Sequence, residues 1–299
     1  VRVWMLGSVL AAAVAGTAGS VFLWPVGVAP EPIELSGDAG RGAYLARASG
    51  CIACHTNFEG GGAPLAGGVE LATPFGTFYS PNLTTDPENG IGRWSIEDFA
   101  MAVRQGVSPE GEPYYPSFTY PFYGDFSDQD IADLWAAFQT VPPVAEVAPE
   151  HEVGFPFNMR WGLKLWRAAF LSDPATEPVE GRDDVWNRGR ELARGAAHCG
   201  ACHTGRNIVG ARLETAFYAG NDALPGGDHA PSIQIEHLIE QGWTVDSIVY
   251  ALETGITPSG DVFGGGMGEV VQYGTSFLTP EDRLAIATYI MDPGDDLPD

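Results

Sequence analysis

The sequence predicts an all-α protein: two tandem copies of one small helical module behind an apolar N-terminal segment. Three observations predict it. The pentapeptide Cys51-Ile52-Ala53-Cys54-His55 returns as Cys199-Gly200-Ala201-Cys202-His203, 148 residues later. Residues 94–111 align without a gap to residues 243–260, so that Trp94 matches Trp243, Gly106 matches Gly255 and Pro109 matches Pro258. A period near 149 is too long for a solenoid and reads as domain duplication. No run alternates apolar and polar residues over the length that a strand needs. The 299 residues suffice for two modules, and 44% apolar content is enough to pack their cores.

The elements follow in order. Residues 3–28 carry no charge, and Arg2 precedes them. That run exceeds a signal-peptide core of about 7–15 residues and reaches the roughly 20 that cross a bilayer. Arg2 before it and the acidic remainder after it put the N-terminus in the cytoplasm. Residues 1–28 are therefore expected to be a membrane anchor. A cleaved signal is the other reading, because the small residues at 15–19 offer a cleavage site.

The first module is expected over 36–145, with helices at 40–48, from Ser95 to Gly106, and from Ser127 to Gln139. The second is expected over 186–293, with helices at 185–194, from Thr244 to Gly255, and from Thr279 to Ile290. Ser95, Ser127, Thr244 and Thr279 are hydroxyl N-caps, acids follow them in the first turn, and glycine or proline ends each helix. Residues 146–185 link the modules and include an amphipathic helix at 159–171. An acidic tail occupies 294–299. Long loops built from 39 glycines and 23 prolines wrap the short helices.

All four cysteines fall in the repeated motif, and C-x-x-C-H is the attachment signature of c-type haem. Two thiols on one helical turn reach one porphyrin, and the adjacent histidine ligates the iron. A redox disulfide or a zinc site explains the cysteines but not a histidine after each pair. Cys51, Cys54, Cys199 and Cys202 thus bind two covalent haem c groups, with His55 and His203 as proximal ligands. A sixth ligand offers itself once. Met267 stands in the run Gly264-Gly265-Gly266-Met267-Gly268, expected to be a loop free to point at iron. The repeat offset maps Met267 onto Phe118, which cannot ligate. Met101 lies mid-helix, while Met159 and His151 follow the third helix. The first haem is therefore either five-coordinate or ligated from outside its module, and the second has the higher potential.

With these motifs in view, residues 67–86, the run 90–95, Tyr115-Pro116 with Tyr120, residues 155–160 and the run 267–271 resemble the cytochrome c subunits of membrane-bound bacterial alcohol, gluconate and related dehydrogenases. The resemblance implies tandem class I cytochrome c-like haem domains. It also implies periplasmic transfer of single electrons from a dehydrogenase partner into the respiratory chain, through quinone or another cytochrome. The chain departs from the family in two ways. It has two haem modules where the best-known members have three. Phe118 and Phe126 also stand where members often have methionine.

The charge of −24, from 39 acids against 15 bases, excludes nucleic acid as a default partner. It suits docking to a redox protein with a basic surface, or a solvated acidic face. The densest positive charge, Arg160, Lys164 and Arg167, lies on the linker helix. It reads as a membrane-surface contact, a partner for haem propionates, or the solvated side of a packing helix. Arg206 is a second propionate candidate. No nucleophile–base pair or phosphate loop is present, so a carrier is the leading reading. The alternative is an enzyme acting on peroxide or a sulfur compound at an open first haem.

Overall fold

A computed structural model describes residues 24–171 and 178–294. Most of the expected N-terminal anchor, residues 172–177 of the linker and residues 295–299 of the acidic tail lie outside the described residues. Among those described, no helix is long and apolar enough to cross a membrane.

The first half opens with α1 (Ala39–Ala48), whose first-turn amides donate to the Asp38 carboxylate, and α2 (Cys51–His55). Strands β1 (Glu70–Thr73) and β2 (Gly76–Tyr79) follow. Then come α3 (Ile96–Ala100), which continues as a π-helical turn over Met101–Gln105, and α4 (Asp128–Phe138). Strand β3 (Glu152–Val153) and α5 (Trp161–Phe170) lead into the second half. That half contains α6 (Asp184–Glu191), continued by a π-helical turn over Leu192–Ala196, α7 (Ile235–Glu240), α8 (Val245–Thr254), α9 (Gly265–Tyr273) and α10 (Pro280–Met291). All four expected N-caps form. Ser95, Ser127 and Thr244 make reciprocal capping boxes, and Thr279 accepts from Asp282 N.

Each half is organised by a crossing of its first and last long helices. At Gly42 of α1 a Cβ would lie 1.8 Å from the Asp133 carbonyl oxygen of α4. At Gly189 of α6 a Cβ would lie 1.9 Å from the Ala285 oxygen of α10. Only glycine lets the backbones approach this closely. Gly42 precedes Cys51 by nine residues, whereas Gly189 precedes Cys199 by ten. The wider π turn at Leu192–Ala196 absorbs the extra residue and keeps the second motif in register with its crossing.

The expectation of an all-α chain needs correction. Strands β1, β2 and β3 form an antiparallel sheet in that order, with Glu70 opposite Tyr79 and Gly76 opposite Val153. Among the described residues no strand exceeds four residues, too short for a periodicity signal. The sheet is held by a small apolar cluster of Phe78, Tyr115 and Leu163.

Leu163 places the linker helix α5 against the first half. Its cationic side chains are not simply solvated. The Arg160 guanidinium lies 5.1 Å from the Tyr115 ring and donates to Pro113 O, and Arg167 lies 5.1 Å over Tyr120. Lys164 donates to Trp24 O at 2.8 Å.

The halves meet through Tyr44, which donates to Asp282 at 2.6 Å, through Arg47 stacked 3.8 Å over Phe277, and through Phe58 stacked on Tyr273 at 3.9 Å. One continuous core runs through both.

Asp133 links the first crossing to pH. Arg41 donates to it twice, at 2.6 and 2.9 Å, and Asp38 N and Gln129 add two further bonds. The hydrogen bond from Arg41 leads in holding the carboxyl down to about 2, against the opposing effect of burial. A depressed carboxyl stabilises the fold above its unfolded value of about 3.9. That contribution is lost as pH falls toward 2. Asp133→Asn is expected to lower stability at neutral pH by about 1–3 kcal/mol, with the gap closing below about pH 4. Urea melts at stepped pH check this, and a gap independent of pH would reject it.

Candidate haem centres

The two C-x-x-C-H segments start from the same kind of turn but wind differently, the first as α-helix over Cys51–His55 and the second as a 3-10 turn over Cys199–Ala201. Gly50, with φ of 66°, turns the chain out of α1, and Cys54 N donates back to Gly50 O across the α2 turn. In the second half His198 occupies the corresponding left-handed position with φ of 36°, and His203 N donates to Cys199 O. After each histidine the chain returns alongside itself. Gly67 N donates to His55 O, Gly220 N donates to His203 O, and the hydroxyls of Thr56 and Thr204 accept from Leu65 N and Tyr218 N.

The two histidines are oriented identically. His55 Nδ1 lies 2.8 Å from Pro81 O, and His203 Nδ1 lies 2.8 Å from Pro231 O. A carbonyl only accepts, so each Nδ1 carries the proton and each Nε2 keeps a free lone pair. Burial pushes His55 down to about 4 and lowers His203 as well, so both rings are neutral. A neutral imidazole with its outer nitrogen anchored to a carbonyl is what an iron ligand requires. Sequence reasoning missed Pro81 and Pro231. The signal was available in the paired runs Ser80-Pro81-Asn82-Leu83 and Ala230-Pro231-Ser232-Ile233.

The four thiols are not bonded to one another. Burial pushes Cys51 and Cys199 up to about 12. It pushes Cys54 up to about 11, with the Cys202 thiol adding to the effect. Burial thus favours the neutral thiol at each position. Among the described residues, no three His, Cys, Asp or Glu side chains come together as a metal cluster. Cys54, Cys199, Cys202, His203 and Met267 instead share the wall of one cavity of about 1800 Å³. Ordinary ligand pockets hold roughly 300–1,000 Å³. The donor set and the space therefore fit a bulky, largely apolar group at the second motif, with Ala53 and Cys54 of the first motif on the same wall.

Met267 is on the cavity wall, but not in a loop. The glycine run forms the first turn of α9, started by Asp228, whose carboxylate accepts from Gly266 N at 3.1 Å. At the corresponding place in the first half, Phe118 is ringed by Tyr114, Tyr120 and Tyr123, each 6.1 Å away between ring centres. His151 is engaged elsewhere. It packs on Phe78 and Tyr115, and its Nδ1 accepts from Tyr79 N. Arg206 lines the cavity beside Cys202 and donates to the carbonyls of Gly210 and Ala201. Arg167 Nη1 is buried without an acceptor. Of the two, Arg206 is on the cavity wall and is the side chain suited to a haem carboxylate.

No protein-family profile matches the chain. It is 39% identical to a diheme cytochrome c-type protein of Cereibacter sphaeroides, over 93% of each chain. It is 40% identical to the gluconate 2-dehydrogenase cytochrome c subunit of Pantoea cypripedii, covering 85% of this chain and 59% of that one. It is 41% identical to the alcohol dehydrogenase (quinone) cytochrome c subunit of Gluconobacter oxydans, covering 84% and 53%. The chain thus spans a little over half the length of these dehydrogenase subunits. It belongs to the dihaem c-type cytochromes and carries two covalently bound haem c groups.

Proposed function

We propose that this dihaem cytochrome works in the periplasm, accepting single electrons from a dehydrogenase and delivering them to the respiratory chain. The observation that carries the reading is the meeting of the two C-x-x-C-H segments across one interface. The Ser49 carbonyl, two residues before Cys51, accepts from His198, the residue before Cys199. A relay needs such adjacency, whereas a protein with two independent sites does not.

In this reading Cys51 and Cys54 hold the first haem with His55 as ligand. Cys199 and Cys202 would hold the second, with His203 and Met267 as the side chains that would ligate its iron. The haems supply one-electron iron chemistry. The polypeptide fixes the imidazoles through Pro81 and Pro231, excludes water with the aromatic wall around Phe118, and presents an acidic surface. The names of the relatives support a dehydrogenase partner. The uncharged residues 3–28 behind Arg2 support anchoring in the inner membrane. A partner with a basic face suits the charge of −24.

The test is co-purification of the tagged chain from detergent-solubilised membranes. The expected companion is a dehydrogenase whose substrate reduces both haems anaerobically, more slowly as salt rises. A pure preparation that no co-purifying dehydrogenase reduces would reject the reading, and a flat salt response would reject steering.

Phe118 supports a second reading, an open first haem that binds a small substrate. Carbon monoxide added to the reduced protein decides it, since no binding at the first haem removes it. Met267→Leu gives the complementary result at the second haem. Loss of the sulfur ligand is expected to lower its potential by on the order of 0.1 V and to make it bind carbon monoxide. Redox titration with spectroscopy checks this, and an unchanged potential would show that Met267 only packs.

A further inference from the structure

We infer that His198 is the positioning residue for electron passage between the two haems, locking the two attachment segments edge to edge through Ser49. This rests on the dihaem relay reading. His198 is adjacent to Cys199 in the chain, and Ser49 is separated from Cys51 by Gly50 alone. His198 Nε2 lies 3.3 Å from Ser49 O. The acceptor is a carbonyl, so the imidazole donates and Nε2 carries the proton. The same carbonyl accepts from Tyr123 Oη at 2.8 Å. Two donors from different parts of the fold therefore converge on one backbone oxygen beside the first motif.

The ring of His198 is held from the first-half side by Phe122 and Tyr123, with centroids 5.9 and 5.8 Å away. It also faces Gly50, where a Cβ would lie 3.5 Å from Nε2. A continuous chemical path between the motifs runs from Cys199 through the His198 side chain, one hydrogen bond, Ser49 and Gly50 to Cys51.

The backbone of His198 shows that the placement is specified. Its φ of 36° is left-handed, a conformation uncommon outside glycine that histidine adopts more readily than most side chains. It persists because the contacts around it over-determine it. The arrangement fits a one-electron transfer in which one iron is oxidised as the other is reduced, with no bond or proton exchanged. Attachment of the second haem and its proximal ligation fall to Cys199, Cys202 and His203, not to His198. Its contacts fix the spacing and orientation of the two segments. Rates that depend on orientation are lost steeply with small displacements.

The test uses the full holoprotein. Pulse radiolysis injects one electron, and the rate of its redistribution between haems is followed, alongside both midpoint potentials and the thermal melting point. In His198→Phe, which keeps the ring and loses the donor, the rate is expected to fall by about tenfold or more, with both potentials unchanged. His198→Gln restores an amide donor and is expected to recover most of the rate. Should the Phe variant fail to mature, His198→Asn is read in its place, because asparagine tolerates the left-handed backbone but is too short to reach Ser49. An unchanged rate in the donor-lacking variant, or failure of glutamine to restore it, overturns the inference. A pyridine haemochrome count below two in the parent protein would instead overturn the dihaem assignment beneath it.

Discussion

Replacing Cys199 and Cys202 together by serine is expected to yield a protein with one haem and a largely unfolded second half. Both thiols face the cavity of about 1800 Å³, whose wall also includes Leu238, Trp243, Ile248 and Ile286. Leu238, Ile248 and Ile286 are otherwise buried core side chains. The haem's contribution lies in filling the cavity between them, since an unfilled apolar cavity forfeits the packing contacts of its wall. A pyridine haemochrome assay against protein concentration should fall from two haems to one. Far-UV circular dichroism should lose the signal of α7, α8 and α9. Retention of both haems would refute the assignment of these cysteines.

The second large effect is expected at the helix crossings. Gly42→Val and Gly189→Val each place a side chain where the first carbon alone would sit within 2 Å of a carbonyl oxygen on the crossing helix, at 1.8 and 1.9 Å. The obstacle is backbone, so relief requires parting the helices. The cost is expected at the top of the overpacking range or above, about 3 kcal/mol or more. Elsewhere in a helix, replacing glycine stabilises by up to about 1 kcal/mol. Gly162 in α5 has open space around its Cβ and supplies the control. Urea titration should show Gly162→Ala neutral or stabilising and both valine variants strongly destabilised. Equal behaviour of the three would mean that the crossings are looser than described.

Much of this architecture is legible in the chain because it is written locally. A hydroxyl cap followed by acids, as at Ser127 and Thr279, reports on its own helix and needs no distant partner. The C-x-x-C-H spacing is local in the same sense. Features that depend on distant residues were not legible. The glycine run before Met267 reads as a loop, because glycine is a poor helix former. It becomes a helix because Asp228, nearly forty residues earlier, accepts from Gly266 N. The three-stranded sheet rests on Tyr115 and Leu163, which lie outside its strands. The spacing of the basic residues at α5 leaves membrane contact, propionate pairing and a solvated face all open, yet Arg160 and Arg167 find aromatic rings presented by another segment. His198 falls in the same class, since its meaning depends on Ser49, 149 positions away.

The pairing of Gly50 with His198 has a consequence for symmetry. The two occupy equivalent places, each immediately before its first cysteine and each left-handed, and they face one another. In an assembly of two identical subunits about a twofold axis, equivalent positions carry the same residue. Two glycines there would leave the gap unbridged, and two histidines would contend for the same space. Fusing the copies into one chain releases that constraint. One position is free to stay bare while the other fills the gap, so the junction between the motifs is directional in a way that no homodimer of either half can reproduce.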